Sequence, residues 1–305
     1  MKEYIFIGVI VLALALATLF VEASNLKTIQ FDDVTLEYRL DKASRNNDTI
    51  VVLVAGSGAT DYNGNSVGAK GKSDVLLQLS KSLNDYGYDT FRFNKRNVKP
   101  ENIIGNPSFD VFIDDLENVI IWLKEQNYSK IYLAGHSQGS LVAALAAQRE
   151  QVEGVISLAG TARPINQILL EQLHRIGYYD EAKKVIDSLL TNDLYTEEIG
   201  IPENIVSFSD VNQIFMMTWM KHNPYKVYKS LNNTKLLFMQ GTKDIQVSIE
   251  ELYLFDGLGK LVELKGSNHV LKVISKESDN LQSYTDPSFL LDPNVAKEID
   301  TFIRN

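Results

Sequence analysis

A five-residue turn, Gly135-His136-Ser137-Gln138-Gly139, joins the apolar run Lys130-Ile131-Tyr132-Leu133-Ala134 directly to an Ala- and Leu-rich stretch of helical character over residues 141–149. No other segment restricts the fold as tightly. The run reads as a strand and the stretch after it as a helix, which leaves room only for a sharp bend at the strand's end. Small residues are needed on both sides of such a bend, because a side chain at Gly135 or Gly139 would strike the neighbouring strand or helix. Ser137 is thereby held out at the tip. The helix start turns backbone N–H groups and the positive end of its dipole toward any negative charge that forms there. A bare G-x-S-x-G pattern recurs by chance, and an ordinary strand-to-helix serine is its bland reading; strand before and helix after give it meaning.

A serine hydroxyl is a weak nucleophile and needs a base, itself oriented by an acid. The chain has four histidines. His136 lies inside the bend and points away from Ser137, while His174 and His222 fall in a helical middle region ahead of any suitable acid. His269 follows the strand-like run Lys260-Leu261-Val262-Glu263-Leu264 in the loop Gly266-Ser267-Asn268-His269 and is the best base. For the acid, Lys235-Leu236-Leu237-Phe238-Met239 reads as a buried strand and Gly241-Thr242-Lys243-Asp244 as the turn after it. Asp244 then sits at a strand's C-terminal end, where open α/β sheets place their chemistry. A capping aspartate and a solvated loop histidine are the bland alternatives; the chain order Ser137, Asp244, His269 argues against both. Acyl transfer also needs donors for an oxyanion. The N–H of Gln138 is one candidate. The N–H of Ser57 is the other, in the turn Ala55-Gly56-Ser57-Gly58 that follows the clearest buried strand, Thr49-Ile50-Val51-Val52-Leu53-Val54.

These stretches, with Asp61, Gly64-Asn65, Phe91-Arg92-Phe93-Asn94-Lys95-Arg96 and Ile245-Gln246-Val247, resemble the α/β-hydrolase superfamily. Within it the chain is similar to cap-bearing bacterial carboxylesterases of dienelactone-hydrolase-like and serine-aminopeptidase-like type, from about residue 49 to the C-terminus. The resemblance implies hydrolysis of a small-molecule carboxylic ester through an acyl-serine, with Ser137, Asp244 and His269 matching the triad. Two positions depart from the pattern: Asn94 stands where an acid is usual, and Ala55 where a histidine is frequent. Peptidases and thioesterases use the same machinery, and a chain that kept the fold without turnover would be a membrane-proximal binding protein.

The remaining sequence alternates strands and helices. Residues 26–31 and 34–40 form a leading strand pair about Asp32-Asp33; residues 73–86 and 110–126 are helical, and residues 89–93 and 152–159 are strands. This predicts a mostly parallel central sheet with helices on both faces. From residue 161 to 234 the alternation stops in favour of helix, for too long to be a connection. We therefore expect a helical cap over 161–234, inserted into a catalytic domain of residues 24–160 and 235–305. In it Leu169, Leu170, Leu173 and Ile176 make one apolar face, and Val185, Ile186, Leu189 and Leu190 a second. Phe215, Met216, Met217, Trp219 and Met220 make a third cluster, from which Phe215, Met216 and Trp219 are candidate substrate-binding residues, with simple helix packing an equal alternative.

A net charge of −9 disfavours nucleic acid and anionic membrane surfaces. The apolar run over residues 4–21, preceded by Lys2 and followed by Val21-Glu22-Ala23, reads as a secretory leader cut after Ala23 or as a retained membrane anchor. Export, as a secreted or outer-face protein, is the expectation. With no cysteine there is neither a disulfide framework nor a thiol nucleophile. Asp61-Tyr62-Asn63-Gly64-Asn65 begins like a calcium loop, but Ser66 and Lys72 stand where glycine and a bidentate acid belong. Gly56-Ser57-Gly58 lacks the third glycine of a dinucleotide fingerprint, and no histidine pair has zinc spacing. We expect neither cofactor nor metal. Lys95-Arg96 reads as a local salt bridge, a solvated pair, or a contact for an anionic substrate group.

Overall fold

The computed structural model describes residues 26–44, 48–103, 105, 107–203 and 205–305; the N-terminal apolar run lies outside them. Eight strands form one sheet in the order β1-β2-β4-β3-β5-β6-β7-β8. The strands are β1 (Lys27–Gln30), β2 (Thr35–Asp41), β3 (Thr49–Val54), β4 (Asp89–Phe93), β5 (Lys130–His136), β6 (Gly154–Leu158), β7 (Lys235–Gly241) and β8 (Lys260–Leu264). The pairs β1–β2 and β2–β4 are antiparallel, and every other pair is parallel.

The apolar run of β3 is buried at every position, as a parallel strand covered on both faces requires. Its side chains alternate between two cores: Ile50, Val52 and Val54 point to one, Val51 and Leu53 to the other. On the first face lie α2 (Asp110–Glu125) and α3 (Gln138–Arg149), which deliver Leu116, Val119, Ile120, Leu141 and Leu145. On the second lie α1 (Val75–Asp85) and α10 (Pro293–Arg304), with Leu76, Leu79, Leu83, Val295 and Ile299. Gly87, at φ 98°, takes the left-handed conformation that stops α1 and returns the chain into β4. Because β3, β5, β7 and β8 run parallel, the loops after them all emerge at one sheet edge.

Between β6 and β7 the chain passes through α4 (Ile165–Arg175), α5 (Tyr179–Leu190), α6 (Asp210–Met220) and α7 (Pro224–Lys229). Leu169, Leu173, Val185, Ile186, Leu189 and Met216 pack there into a third apolar cluster. Leu190 does not join them and is 53% exposed. One residue beyond Leu189 turns it by about 100° off the buried face. Ile176, also expected on an apolar face, lies just past the end of α4 and is exposed. Two short helices, α8 (Glu250–Tyr253) and α9 (Asp279–Gln282), follow β7 and β8.

Candidate active site

Ser137 occupies the single residue between β5 and α3, at φ 52° and ψ −120°. That is the first central position of a type II′ turn, a conformation glycine adopts freely and other residues only under constraint. The constraint is visible: the Ser137 N–H donates to the Leu158 carbonyl at 2.8 Å, and its own carbonyl accepts from the Ser140 N–H and hydroxyl. The flanking glycines answer to space. A Cβ on Gly135 would lie 2.2 Å from the Gly139 carbonyl oxygen, and one on Gly139 would lie 2.5 Å from the carbonyl oxygens of Val54 and Ala55. Here β5 and α3 pass closer than any side chain permits.

Asp244 and His269 arrive from the loops after β7 and β8 and meet: His269 Nδ1 lies 2.7 Å from Asp244 Oδ2. The Asp244 side chain is wholly buried and that of His269 is 5% exposed. Gln240 Nε2 also donates to Oδ2, at 2.8 Å, and the N–H groups of Gln246 and Val247 donate to Oδ1. Burial pushes this carboxyl upward, but the adjacent imidazole and the backbone donors outweigh it and hold the carboxyl below its ordinary range. The carboxylate is thus the charged, acceptor-only form that fixes a proton on Nδ1 and leaves Nε2 as the basic nitrogen.

Ser137 and His269 open onto the same cavity, about 290 Å³, together with Gly56, Ser57, Gln246 and Tyr284. Among the described residues Ser137 Oγ has no hydrogen-bond partner, so structure brings the histidine and aspartate into contact and the serine to the shared wall. A second cavity, about 490 Å³, meets the first at Ser57, Ser137 and Gln246 and extends beneath α4 and α6, lined by Ile168, Leu169, Met216 and Trp219. A third, about 360 Å³, is walled by Phe112, Phe215 and Trp219 and shares Ser57 and Gln138 with the second. Phe215, Met216 and Trp219 therefore all border space next to Ser57 and Gln138. They also pack: Trp219 stacks on Phe109 at 5.4 Å, and Phe215 meets Phe109 and Phe112.

Ser57 and Gln138 line the same two cavities. Neither backbone N–H has a hydrogen-bond partner among the described residues, and Gln138 is the first residue of α3, where N–H groups are left unpaired. The Ser57 loop is braced from behind, its carbonyl accepting from the Thr60 hydroxyl at 3.0 Å.

Several residues in the site carry roles that sequence reasoning did not assign. His136 is buried, with Nε2 2.8 Å from the His269 carbonyl oxygen; burial lowers its pKa to about 4, so the ring is neutral and donates there. Lys272 Nζ donates to the carbonyls of Ser73, Ser283 and Asp286, tying the His269 loop to two other segments. Arg96 forms the anticipated salt bridges, to Asp115 and Asp33. Lys95 does not: it is buried, donates to the Gly56 carbonyl at 2.9 Å and to Gln138 Oε1 at 2.8 Å, and lies 4.2 Å from the Phe112 ring centre. Burial lowers the pKa of this ammonium to about 7, against an upward pull from Asp115. Asn94, the departure from the usual acid, accepts from the Tyr62 N–H and donates to Glu37. Asp61 spends its carboxylate on the N–H groups of Asn63 and Asn65, closing its own loop. Among the described residues no group of three or more His, Cys, Asp and Glu side chains is placed to hold a metal.

A parallel sheet that carries a strained serine between strand and helix, with acid and base on later strand ends, defines the α/β-hydrolase architecture. A family model for the alpha/beta hydrolase fold matches residues 51–275, and the chain belongs to that family. Esterase EstD of Thermotoga maritima is 26% identical over 236 residues, which cover 76% of this chain and 54% of the relative; the chain spans about half the length of that curated relative. Among solved structures it is similar to Est1E of Butyrivibrio proteoclasticus with ferulic acid bound, at TM-score 0.57 and 17% identity, covering 91% of this chain and 98% of that one. It is likewise similar to the esterase domain of a Rhodothermus marinus protein, at TM-score 0.55 and 16% identity, covering 92% and 98%. At these identities the structural likeness is one of fold.

Proposed function

We propose that the protein is a serine hydrolase that cleaves carboxylic esters through an acyl-enzyme on Ser137. The observation that carries this reading is the buried Asp244–His269 pair, whose imidazole shares a cavity with a serine held in a strained strand-to-helix turn. The scheme requires Ser137 Oγ to reach His269 Nε2 across the cavity they share, and unliganded hydrolases commonly hold this bond loose. His269 takes the Ser137 proton as Oγ attacks the ester carbonyl, and the carbonyl oxygen, now an anion, is received by the N–H groups of Ser57 and Gln138. Collapse breaks the C–O bond, and the imidazolium returns its proton to the departing alcohol. Water repeats the cycle on the acyl-serine, while Asp244 stabilises the imidazolium in both halves.

Phe215, Met216 and Trp219 form the apolar wall against which the substrate rests, and residues 161–234 serve as the cap above it. The likeness to an esterase supports an ester substrate, and the apolar lining by Phe215, Met216 and Trp219 supports an apolar or aromatic group on it. No cofactor takes part in this scheme. We further propose that the run over residues 4–21 exports the chain, to be secreted or anchored to the outer face of the cytoplasmic membrane; the mass of the mature N-terminus distinguishes a cut after Ala23 from a retained anchor.

Replacing Ser137 by alanine and assaying release of p-nitrophenol from a short-chain ester tests the central reading. We expect loss of turnover and of labelling by a fluorophosphonate; a folded Ser137→Ala protein that still turns over would overturn it. Matched ester, thioester and amide substrates separate an esterase from a thioesterase or peptidase.

A further inference from the structure

Lys95 is a buried lysine in the wall of the third cavity, and its surroundings give it a job other than binding substrate. An ammonium has three N–H bonds. One is directed to the Gly56 carbonyl and one to Gln138 Oε1, and the charge lies over the Phe112 ring. The ring face is itself a partner for a cation. Both hydrogen bonds are made within the protein, one to the backbone and one to the side chain of the residue after Ser137.

The two oxygens it holds are the informative part. The Gly56 carbonyl belongs to the same peptide unit as the Ser57 N–H, and no peptide in the described chain is cis. In a trans peptide the C=O and N–H point in opposite directions. Lys95 therefore grips the back of the unit whose front is the first oxyanion donor. Its second acceptor is the side chain of Gln138, whose main-chain N–H is the second donor. Thr60 braces this loop at the Ser57 carbonyl, but the Gly56–Ser57 peptide itself turns about ψ of Gly56 and φ of the exposed Ser57, and Lys95 is the side chain that holds its carbonyl. In its protonated form, favoured below its pKa of about 7, the ammonium on the carbonyl oxygen also draws electron density through the amide and makes its N–H a stronger donor.

Building on the hydrolase reading above, we propose that Lys95 is a positioning residue that orients both oxyanion donors and polarises that of Ser57, gripping the Gly56–Ser57 peptide by its carbonyl and Gln138 by its side chain. It touches neither substrate nor reacting atoms. Its effect belongs to the tetrahedral species, where charge sits on the oxygen, and not to ground-state binding.

The test is Lys95→Met, which keeps the length and the Phe112 contact without the charge. We expect kcat on a p-nitrophenyl ester to fall about a hundredfold, as for loss of one oxyanion donor, with KM changed by no more than about threefold. The inhibition constant of a trifluoromethyl ketone of matching chain length, which places an oxyanion in the same site, should rise by the same factor as kcat/KM falls. Because the chain has no cysteine, Lys95→Cys can be aminoethylated at one position in denaturant and refolded to restore an ammonium. Activity should return in this form and not in the unmodified thiol. Gln138→Leu keeps the backbone donor and removes one anchor, giving a smaller fall of about tenfold, and it carries the test if the Lys95 variants do not fold. Wild-type kcat in a folded Lys95→Met protein, or a fall in kcat with unchanged ketone affinity, overturns the proposal. Ser137→Ala run alongside separates the two levels. If it still turns over, the hydrolase reading is wrong; if it is inert while Lys95→Met matches wild type, only the clamp is wrong.

Discussion

Asp244→Asn isolates what the buried carboxylate does, because the substitution changes one heavy atom and almost no volume. Both oxygens are committed: Oδ2 to His269 Nδ1 at 2.7 Å and Gln240 Nε2 at 2.8 Å, Oδ1 to the N–H groups of Gln246 at 2.7 Å and Val247 at 2.9 Å. An amide offers one acceptor where there were two. If its oxygen turned toward the histidine, two backbone donors would be stranded, at about 1–3 kcal/mol each. The oxygen therefore stays with the backbone, and the NH2 faces the ring. His269 must then meet it with a bare Nδ1, which moves the proton to Nε2 and leaves no lone pair to receive the Ser137 proton. An inverted tautomer of this kind lowers kcat by about 10⁴, equivalent to about 5 kcal/mol of transition-state stabilisation. Steady-state kinetics on an activated ester, with Ser137→Ala as the floor and a thermal melt to establish folding, would measure it. A folded Asp244→Asn protein within tenfold of wild-type kcat would refute the reasoning, since the proton would then be leaving Ser137 by another route.

Gly139→Ala forces a methyl to within 2.5 Å of two backbone oxygens and should destabilise the fold by about 3 kcal/mol, read as a lowered urea midpoint; an unchanged midpoint would mean that β3 and α3 part easily. Ser137→Gly should act in reverse, abolishing turnover while raising stability by about 1 kcal/mol, because strain at φ 52° is released and only part is returned as chain entropy; a lower midpoint would contradict the strain. His136 makes stability depend on pH. Its pKa is about 4 folded against 6.5 for a free imidazole, so the unfolded chain binds the extra proton and stability is lost as pH falls from 6.5 to 4. The slope is about 1.4 kcal/mol per pH unit within that window, and it should flatten in His136→Gln.

Much of this architecture was open to reading from the chain itself, because the signals are local and their physics acts within a few residues. The unbroken apolar run from Ile50 to Val54 in β3 needs two covered faces. The strand, five-residue bend and helix around Ser137 admit one geometry, and the order of Ser137, Asp244 and His269 along the chain follows from which loops leave the ends of parallel strands. Leu190 shows the limit of this: an apolar residue beside a buried one reads as part of the same face until the helix is wound.

Other features were decided only by folding, and all of them are contacts between residues far apart in sequence. Whether Asp244 is a turn cap or the partner of an imidazole depends on how β7 and β8 lie side by side, 25 residues apart at the hydrogen bond. Lys95 next to Arg96 looks like one basic pair; tertiary packing gives Arg96 two carboxylates and Lys95 a carbonyl, an amide oxygen and an aromatic ring. The physical reason is burial. Local sequence sets backbone geometry through sterics and periodicity, whereas the role of a polar side chain is set by whichever distant groups must satisfy it once water has been removed.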